Sequence, residues 1–131
     1  MENVNMADWA KRDDALIERV AGLLSVAPVR SKNMFGTTAW FLESNDVMFV
    51  GAWGEAIMVR VGAERTVSLI ESGEAEPFNP MGGNKAMKEY VLLNGERIAE
   101  DDTLITWLDE ASEFAGTLPP KQKKTRKKKK I

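Results

Sequence analysis

The residue types available for catalysis in this 131-residue chain are limited, because it contains neither histidine nor cysteine. The absence of histidine removes the usual general base near neutral pH and the commonest metal ligand. The absence of cysteine excludes disulfides, thiol catalysis and zinc–thiolate sites. A nucleophile would have to be Ser, Thr, Lys or a carboxylate. Ser31 and Lys32 are adjacent on a predicted strand, so they point to opposite faces and cannot form a dyad directly.

Three groups of neighbouring carboxylates could supply acid–base pairs. They are Asp13-Asp14, Glu100-Asp101-Asp102 and Asp109-Glu110. All three lie in or beside predicted helices, and we interpret them as solvated helix surface and helix caps. Metal sites made only of oxygen ligands need clustered carboxylates in a defined loop, and no such loop is visible. The sequence therefore predicts no catalytic residues, no metal and no cofactor.

The segment 81–85 has two glycines followed by a lysine, Lys85. Backbone N–H groups of such a loop can hold a phosphate. The Walker spacing and its following Ser or Thr are missing, so we interpret the segment as a surface loop. Met81 and Met87 flank it, and flexible thioether side chains could line an adaptable groove for a partner.

Charge is strongly segregated along the chain. All 20 acidic residues lie before residue 114, whereas eight of the 18 basic residues lie in segment 121–131, so this tail carries +8 and the rest −10. Such a tail can bind nucleic acid phosphates, although no aromatic residue is interleaved to stack on bases. Solubility, or loose contact with the acidic body, is the alternative interpretation. The candidate nucleic-acid-binding residues are Lys121, Lys123, Lys124, Arg126, Lys127, Lys128, Lys129 and Lys130.

Hydrophobic periodicity predicts the elements of the first half. A helix is expected over 6–24, with Asn5 as its N-cap, and strands over 29–35, 37–42, 47–53 and 56–61. The first two strands could instead be one long strand bent at Gly36. Strand 47–53 is apolar on both faces, which predicts a central position. Alternation would place Val47, Phe49, Gly51 and Trp53 on one face, and Met48, Val50 and Ala52 on the other.

The second half begins with a short predicted helix over 63–72. An edge strand at 77–78, a strand over 87–93, a turn at 94–95 and a helix from about 101 to 118 follow. Tight turns between strands favour antiparallel pairing. We therefore predict an α+β fold, a two-layer sandwich whose mainly antiparallel sheet of about five strands carries helices packed on one face. The folded domain is expected to span 1–120, followed by a disordered basic tail at 121–131.

The cellular compartment is predicted from features that the sequence lacks. No stretch approaches the 18 apolar residues of a membrane-spanning helix, and the first residues do not have the pattern of a signal peptide. The lack of cysteine favours a reducing compartment. We expect a cytoplasmic protein without membrane contact.

Several short strings occur in an order and at a spacing that resemble one family. They are Met34-Phe35-Gly36, the strand at 56–61, Pro77-Phe78, the strand start at 87–91 and the helix with its Pro-Pro-Lys ending at 104–121. Together they resemble the N-terminal domain of the TfoX/Sxy family over roughly residues 16–121.

The resemblance implies a two-layer domain with an antiparallel sheet of about five strands. It also implies a regulatory association, because two-domain members of the family activate natural competence for DNA uptake. Those members carry a second, helical domain, where this chain has its lysine-rich tail. Thr37-Thr38 stand where the family tends to be glycine-rich. No established catalytic residues come with the resemblance.

We therefore expect a non-enzymatic, regulatory protein-interaction module; the sequence does not specify its partner protein or its oligomeric state. The alternative is weak, sequence-independent binding of nucleic acid through the tail. The candidate protein-binding residues are those of the family motifs: Met34, Phe35, Gly36, Pro77, Phe78, Met87, Lys88 and Tyr90.

Overall fold

The computed structural model describes residues 12–34, 36–80, 82 and 86–120. Within them, three α-helices and six strands form an α+β domain. The helices are α1 (Asp14–Leu23), α2 (Ala63–Ser72) and α3 (Asp101–Gly116). The strands are β1 (Val29–Met34), β2 (Thr37–Leu42), β3 (Met48–Trp53), β4 (Ala56–Arg60), β5 (Glu76–Pro77) and β6 (Tyr90–Leu93), and a 3₁₀ helix occupies Gly95–Ile98.

The strands form one sheet in the order β1-β2-β3-β4-β6-β5, and every neighbouring pair is antiparallel. The predicted α+β fold is confirmed, and β3 is central as expected. The pairing of β1 with β2 ends at Met34 opposite Thr37, so only two residues separate the strands. Gly36 has φ +75° there, a conformation that glycine adopts without strain. These strands form a tight hairpin, and the alternative of one bent strand is wrong.

Two element boundaries differ from the prediction by three residues or more. Helix α1 begins at Asp14 and not near residue 6, because Asp13 is extended and its carboxylate accepts a hydrogen bond from Leu16 N at 3.1 Å. The predicted cap Asn5 lies outside the described residues. Strand β6 begins at Tyr90 and not at residue 87, because Glu89 O accepts bonds from the loop after β4 and Met87 N donates to Phe78 O. Those bonds replace a regular ladder before Tyr90.

The main core lies between one face of the sheet and the three helices. Helix α3 shows the pattern clearly, because Leu104, Leu108, Ala111 and Ala115 are buried along one stripe. Trp107 is half-buried and packs against this core. Among the described residues, no helix is both long and apolar enough to cross a membrane.

A β-bulge changes which side chains of β3 share a face. Trp40 lies opposite Val50, but the next residue, Phe41, lies opposite Met48. The extra residue on β3, Phe49, breaks the period-two alternation. The predicted face assignment is therefore wrong. The helix-side core contains Val47, Phe49, Val50 and Ala52 together.

Candidate interaction surface

Six side chains form a second apolar cluster on the sheet face opposite the main core. Within the described part of the chain, none of the three helices contributes to it. The ring of Phe78 meets that of Trp53 edge to face, with centroids 5.0 Å apart, and lies 6.4 Å from that of Tyr90. The members of this second-face cluster are the buried Met58, Phe78 and Tyr90 and the half-buried Met48, Trp53 and Leu92.

Gly51 determines how Met58 lies within the second-face cluster. The two residues are cross-strand partners in β3 and β4. A Cβ atom on Gly51 would lie 2.9 Å from Met58 Cε and 3.7 Å from the Cβ of Ala39. The missing side chain lets the thioether extend across β3 towards β2. Methionine suits this position because its unbranched chain fills irregular gaps.

Two arginines place their guanidinium groups over aromatic rings on this face. Arg60 lies 5.5 Å from the ring centroid of Tyr90 and pairs with Glu89 at 2.7 Å. Arg30 lies 4.7 Å from the ring centroid of Phe41. Such contacts stabilise by about 0.5–1 kcal/mol at exposed sites. Burial raises the pKa of the Tyr90 hydroxyl, and the nearby Arg60 charge opposes that rise.

The predicted protein-binding residues do not form one site. Met34 is half-buried at the end of β1, Gly36 is exposed in the hairpin loop, and Phe35 lies outside the described residues. The others lie near the opposite edge, five strand spacings or about 24 Å away. Of these, Phe78 and Tyr90 belong to the second-face cluster, Pro77 ends β5, and Met87 and Lys88 are exposed.

Sequence reasoning missed five contributors to this face, namely Met48, Trp53, Met58, Leu92 and Arg60. Simple alternation predicts Trp53 on the same face as Val47 and Phe49, and for Arg60 the sequence predicts only a place in the strand over 56–61. Cross-strand pairing brings Arg60 opposite Tyr90 and Met58 opposite Leu92. Alternation within β4 shows that Met58 and Arg60 share a face, and alternation within β6 shows the same for Tyr90 and Leu92. The sequence does not show that these two strands pair, because they are far apart along the chain.

The edge strand β1 has the longest run of exposed residues in the sheet. All four central residues, Arg30, Ser31, Lys32 and Asn33, are exposed, and among the described strands β1 pairs only with β2. Ser31 and Lys32 do point to opposite faces, as expected for consecutive strand residues. The other edge, β5, has two residues, one of them Pro77. Short edges with proline resist further strand pairing, whereas a six-residue edge can accept it.

The backbone groups that β1 leaves unpaired can be assigned from its hairpin. Glu43 N donates to Pro28 O at 3.0 Å. Hydrogen-bonded pairs alternate with non-bonded pairs along an antiparallel ladder. The N–H and C=O groups of Ser31 and Asn33 therefore point away from β2, towards the open side of the edge.

The carboxylates considered for acid–base chemistry act as caps and ion-pair partners. Asp14 pairs with Arg12 at 2.5 Å, Asp101 with Arg19 at 2.8 Å, and Glu110 with Arg65 at 2.7 Å. Among the described residues, no group of three His, Cys, Asp or Glu side chains could hold a metal ion. Of the loop 81–85 only Gly82 is described, and the tail 121–131 lies outside the described residues.

Comparison with known proteins identifies one family. The sequence model of the TfoX N-terminal domain matches residues 21–115, which is most of the chain. The match runs from within α1 to the last turn of α3 and includes all six strands. This family is not a known enzyme family. No curated protein matches the chain.

Proposed function

Because the chain belongs to the TfoX N-terminal domain family, we propose that it is a regulatory protein that binds another protein and catalyses no reaction. The link of two-domain family members to competence supports the regulatory part of this proposal. In the same proposal residues 1–120 are the binding domain, 121–131 are a basic tail, and the protein works in the cytoplasm.

The partner site of this proposal is the open edge of β1. The observation that carries it is that β1 is a six-residue edge strand whose four central residues are exposed. An extended peptide can add to such an edge as a further strand, with affinity from main-chain hydrogen bonds. The outward N–H and C=O groups of Ser31 and Asn33 are suitably directed for those bonds.

Charge on β1 indicates the kind of segment that fits this edge. Arg30 and Lys32 alternate on one face, while Ser31 and Asn33 present small polar groups on the other. Cross-strand pairs of opposite charge stabilise a sheet, and like charges directly opposite destabilise it. Arg30 already pairs with Asp46 within the chain. The partner segment is therefore an extended peptide with a carboxylate opposite Lys32.

A proline substitution tests this site selectively. Ser31→Pro removes an outward N–H group, and proline is tolerated on edge strands where the N–H faces solvent. Ser31→Ala is the matched control, because it keeps the N–H group and removes only the hydroxyl. We expect affinity capture from native lysate to recover the same partner with wild type and Ser31→Ala, and to lose it with Ser31→Pro. Equal recovery with all three proteins would exclude strand addition at β1.

A second candidate function is weak, sequence-independent nucleic acid binding through the tail. It is supported by the eight basic residues in segment 121–131, against a net charge of −10 on the rest of the chain. Phosphate contacts by lysine and arginine supply most non-specific affinity. The acidic body repels the same phosphates, so the binding depends strongly on salt.

A further inference from the structure

Strand β1 presents different chemistry on its two faces. The guanidinium group of Arg30 lies over the ring of Phe41, on the side of the second-face cluster. Lys32 lies two residues further along the strand and shares that face, because side chains alternate with a period of two. Val29 lies on the other face, where it packs against the main core. A strand added at this edge therefore meets a basic face on one side and an apolar face on the other.

Val29 lies where the main core reaches the open edge of the sheet. Its side chain is half-buried, as is that of Leu23 in the last turn of α1, and both pack against the core. By the alternation that assigns Ser31 and Asn33, the C=O group of Val29 also points away from β2. A large apolar side chain opposite Val29 would remove further apolar surface from water. The exposed part of Val29 therefore favours an apolar residue in the added strand.

Lys32 is the cation of β1 that remains available to a partner. Arg30 is paired with Asp46 within the chain. Lys32 is exposed, and within the described part of the chain it takes part in no ion pair. A carboxylate directly opposite Lys32 would form a cross-strand pair of opposite charge, which stabilises a sheet.

The direction of the added strand determines the order of these two residues. Every neighbouring pair in the sheet is antiparallel, and antiparallel pairing is slightly more stable per residue than parallel pairing. In an antiparallel strand, the residue opposite Lys32 comes three positions before the residue opposite Val29. Strand residues three positions apart point to opposite faces, so the carboxylate meets the basic face and the apolar side chain covers Val29.

We propose that β1 selects an antiparallel strand in which Asp or Glu is followed, three positions later, by a large apolar residue that covers Val29. The inference rests on the proposed function, because it specifies the partner segment of the same edge. A second copy of β1 does not fit this pattern, since the strand contains no carboxylate. The occupant is therefore a segment of another protein with this acidic–apolar spacing.

Four synthetic peptides test the pattern on the full chain. The matching peptide is Thr-Thr-Glu-Thr-Thr-Ile-Thr-Thr, and the reversed peptide, Thr-Thr-Ile-Thr-Thr-Glu-Thr-Thr, has the same composition and fits only a parallel strand. The other two replace Glu by Gln or Ile by Ser in the matching peptide. Fluorescence anisotropy should show that the matching peptide binds about tenfold more tightly than the reversed one, and about two- to fivefold more tightly than the other two. Equal binding of the matching and reversed peptides, or no binding of the matching peptide, would overturn the proposal.

Variants of the protein assign these preferences to residues of β1. Lys32→Gln should weaken binding of the matching peptide about two- to fivefold and leave binding of the Gln peptide unchanged. Lys88→Gln is the matched control, because it removes the same charge from an exposed residue near the opposite edge of the sheet. Val29→Thr keeps the branched shape but adds a hydroxyl, so it should reduce the preference for Ile over Ser. Equal effects of the two lysine variants, or an unchanged preference in Val29→Thr, would contradict the proposed contacts.

Ser31→Pro separates a failure of this inference from a failure of the proposed site. It should abolish binding of every peptide, because it removes an outward N–H group. If it does so while the wild-type protein binds all four peptides equally, strand addition at β1 stands and the acidic–apolar pattern is wrong. If the matching peptide binds Ser31→Pro as tightly as the wild type, the site does not lie at β1 and both proposals are wrong.

Discussion

Asn45, in the turn between β2 and β3, donates a hydrogen bond of 2.8 Å from Nδ2 to the carbonyl oxygen of Ala115, 70 residues along the chain. The same amide donates to Leu118 O at 3.1 Å, and its Oδ1 accepts from Val47 N. The last carbonyls of a helix have no partner within the helix. The buried side chain of Asn45 therefore caps α3 and ties it to the sheet.

The first prediction concerns this cap. Asn45→Ala should lower the free energy of unfolding by about 1–3 kcal/mol, because the three hydrogen bonds of this buried side chain are lost, although Ala115 O keeps its bond from Leu118 N. Asn45→Asp should cost more, since a carboxylate would face the negative end of α3. Urea unfolding followed by circular dichroism measures both. Ser44→Ala, exposed in the same turn, is the control and should change stability little. An unchanged midpoint for Asn45→Ala would show that the cap does not stabilise the domain.

The second prediction contrasts two glycines. Gly62 precedes α2 with φ +96°, and a Cβ atom there would lie 2.8 Å from Phe114 Cε1. Gly62→Ala should destabilise by about 2–5 kcal/mol, from backbone strain together with overpacking. Gly22, inside α1, has no atom within 4 Å of an added Cβ, so Gly22→Ala should stabilise by about 0.5–1 kcal/mol. Thermal unfolding of both variants measures the two effects. If both melting temperatures changed in the same direction, the close packing of Gly62 against Phe114 would be contradicted.

The third prediction concerns alkaline pH. Tyr90 is the only tyrosine, so phenolate absorbance reports its titration directly. Burial raises the pKa of Tyr90 in the folded state, which favours the neutral hydroxyl. Its contribution to stability is therefore full below the unfolded pKa of about 10 and is lost as pH rises through the folded value.

Two variants separate the causes of this shift. Arg60→Met should raise the pKa of Tyr90 further, because the Arg60 charge and hydrogen bond lower it. Tyr90→Phe should weaken the loss of stability above about pH 10. A tyrosine that titrates with an ordinary pKa in the folded protein would contradict its burial in the second-face cluster.

The fourth prediction tests nucleic acid binding by the tail. If five of its eight cations contact phosphates, the slope of log K against log salt should be about −3.5 to −4.5. Binding should be no tighter than about 10⁻⁵ M at physiological salt and independent of sequence. Deleting residues 121–131 should abolish it without changing the unfolding midpoint. Binding that persists in the shortened chain, or strong preference for one sequence, would assign the site to the folded domain.

Much of the secondary structure was predictable because its signals are local. The bounds of β2 and α2 agree with the prediction, and α2 ends at Gly73, whose φ of 82° closes the helix as a C-cap glycine does. The two acidic residues that open α3 likewise mark its first turn. These features depend on residues within one or two turns of each other, so the sequence alone indicates them.

The start of α1 shows where local signals compete. Asn5 and Asp13 are both good N-cap residues, and the apolar stripe that needs burial begins only at Leu16. Asp13 is the cap in the structure, where its backbone is extended and its carboxylate accepts a hydrogen bond from Leu16 N. Propensity alone could not decide between the two positions.

By itself, the sequence determined the α+β class, most element bounds and the absence of His and Cys chemistry, because each depends on composition or short-range pattern. The tertiary structure decided on which face of the sheet each side chain lies and which strands are neighbours. The bulge opposite Phe41 assigns Phe49 and Val50 to the same core, and the insertion of β6 between β4 and β5 brings Tyr90 next to Arg60. Both relationships depend on hydrogen bonding between strands. Strands β4 and β6 lie about 30 residues apart in the sequence, and they pair only when the whole sheet forms.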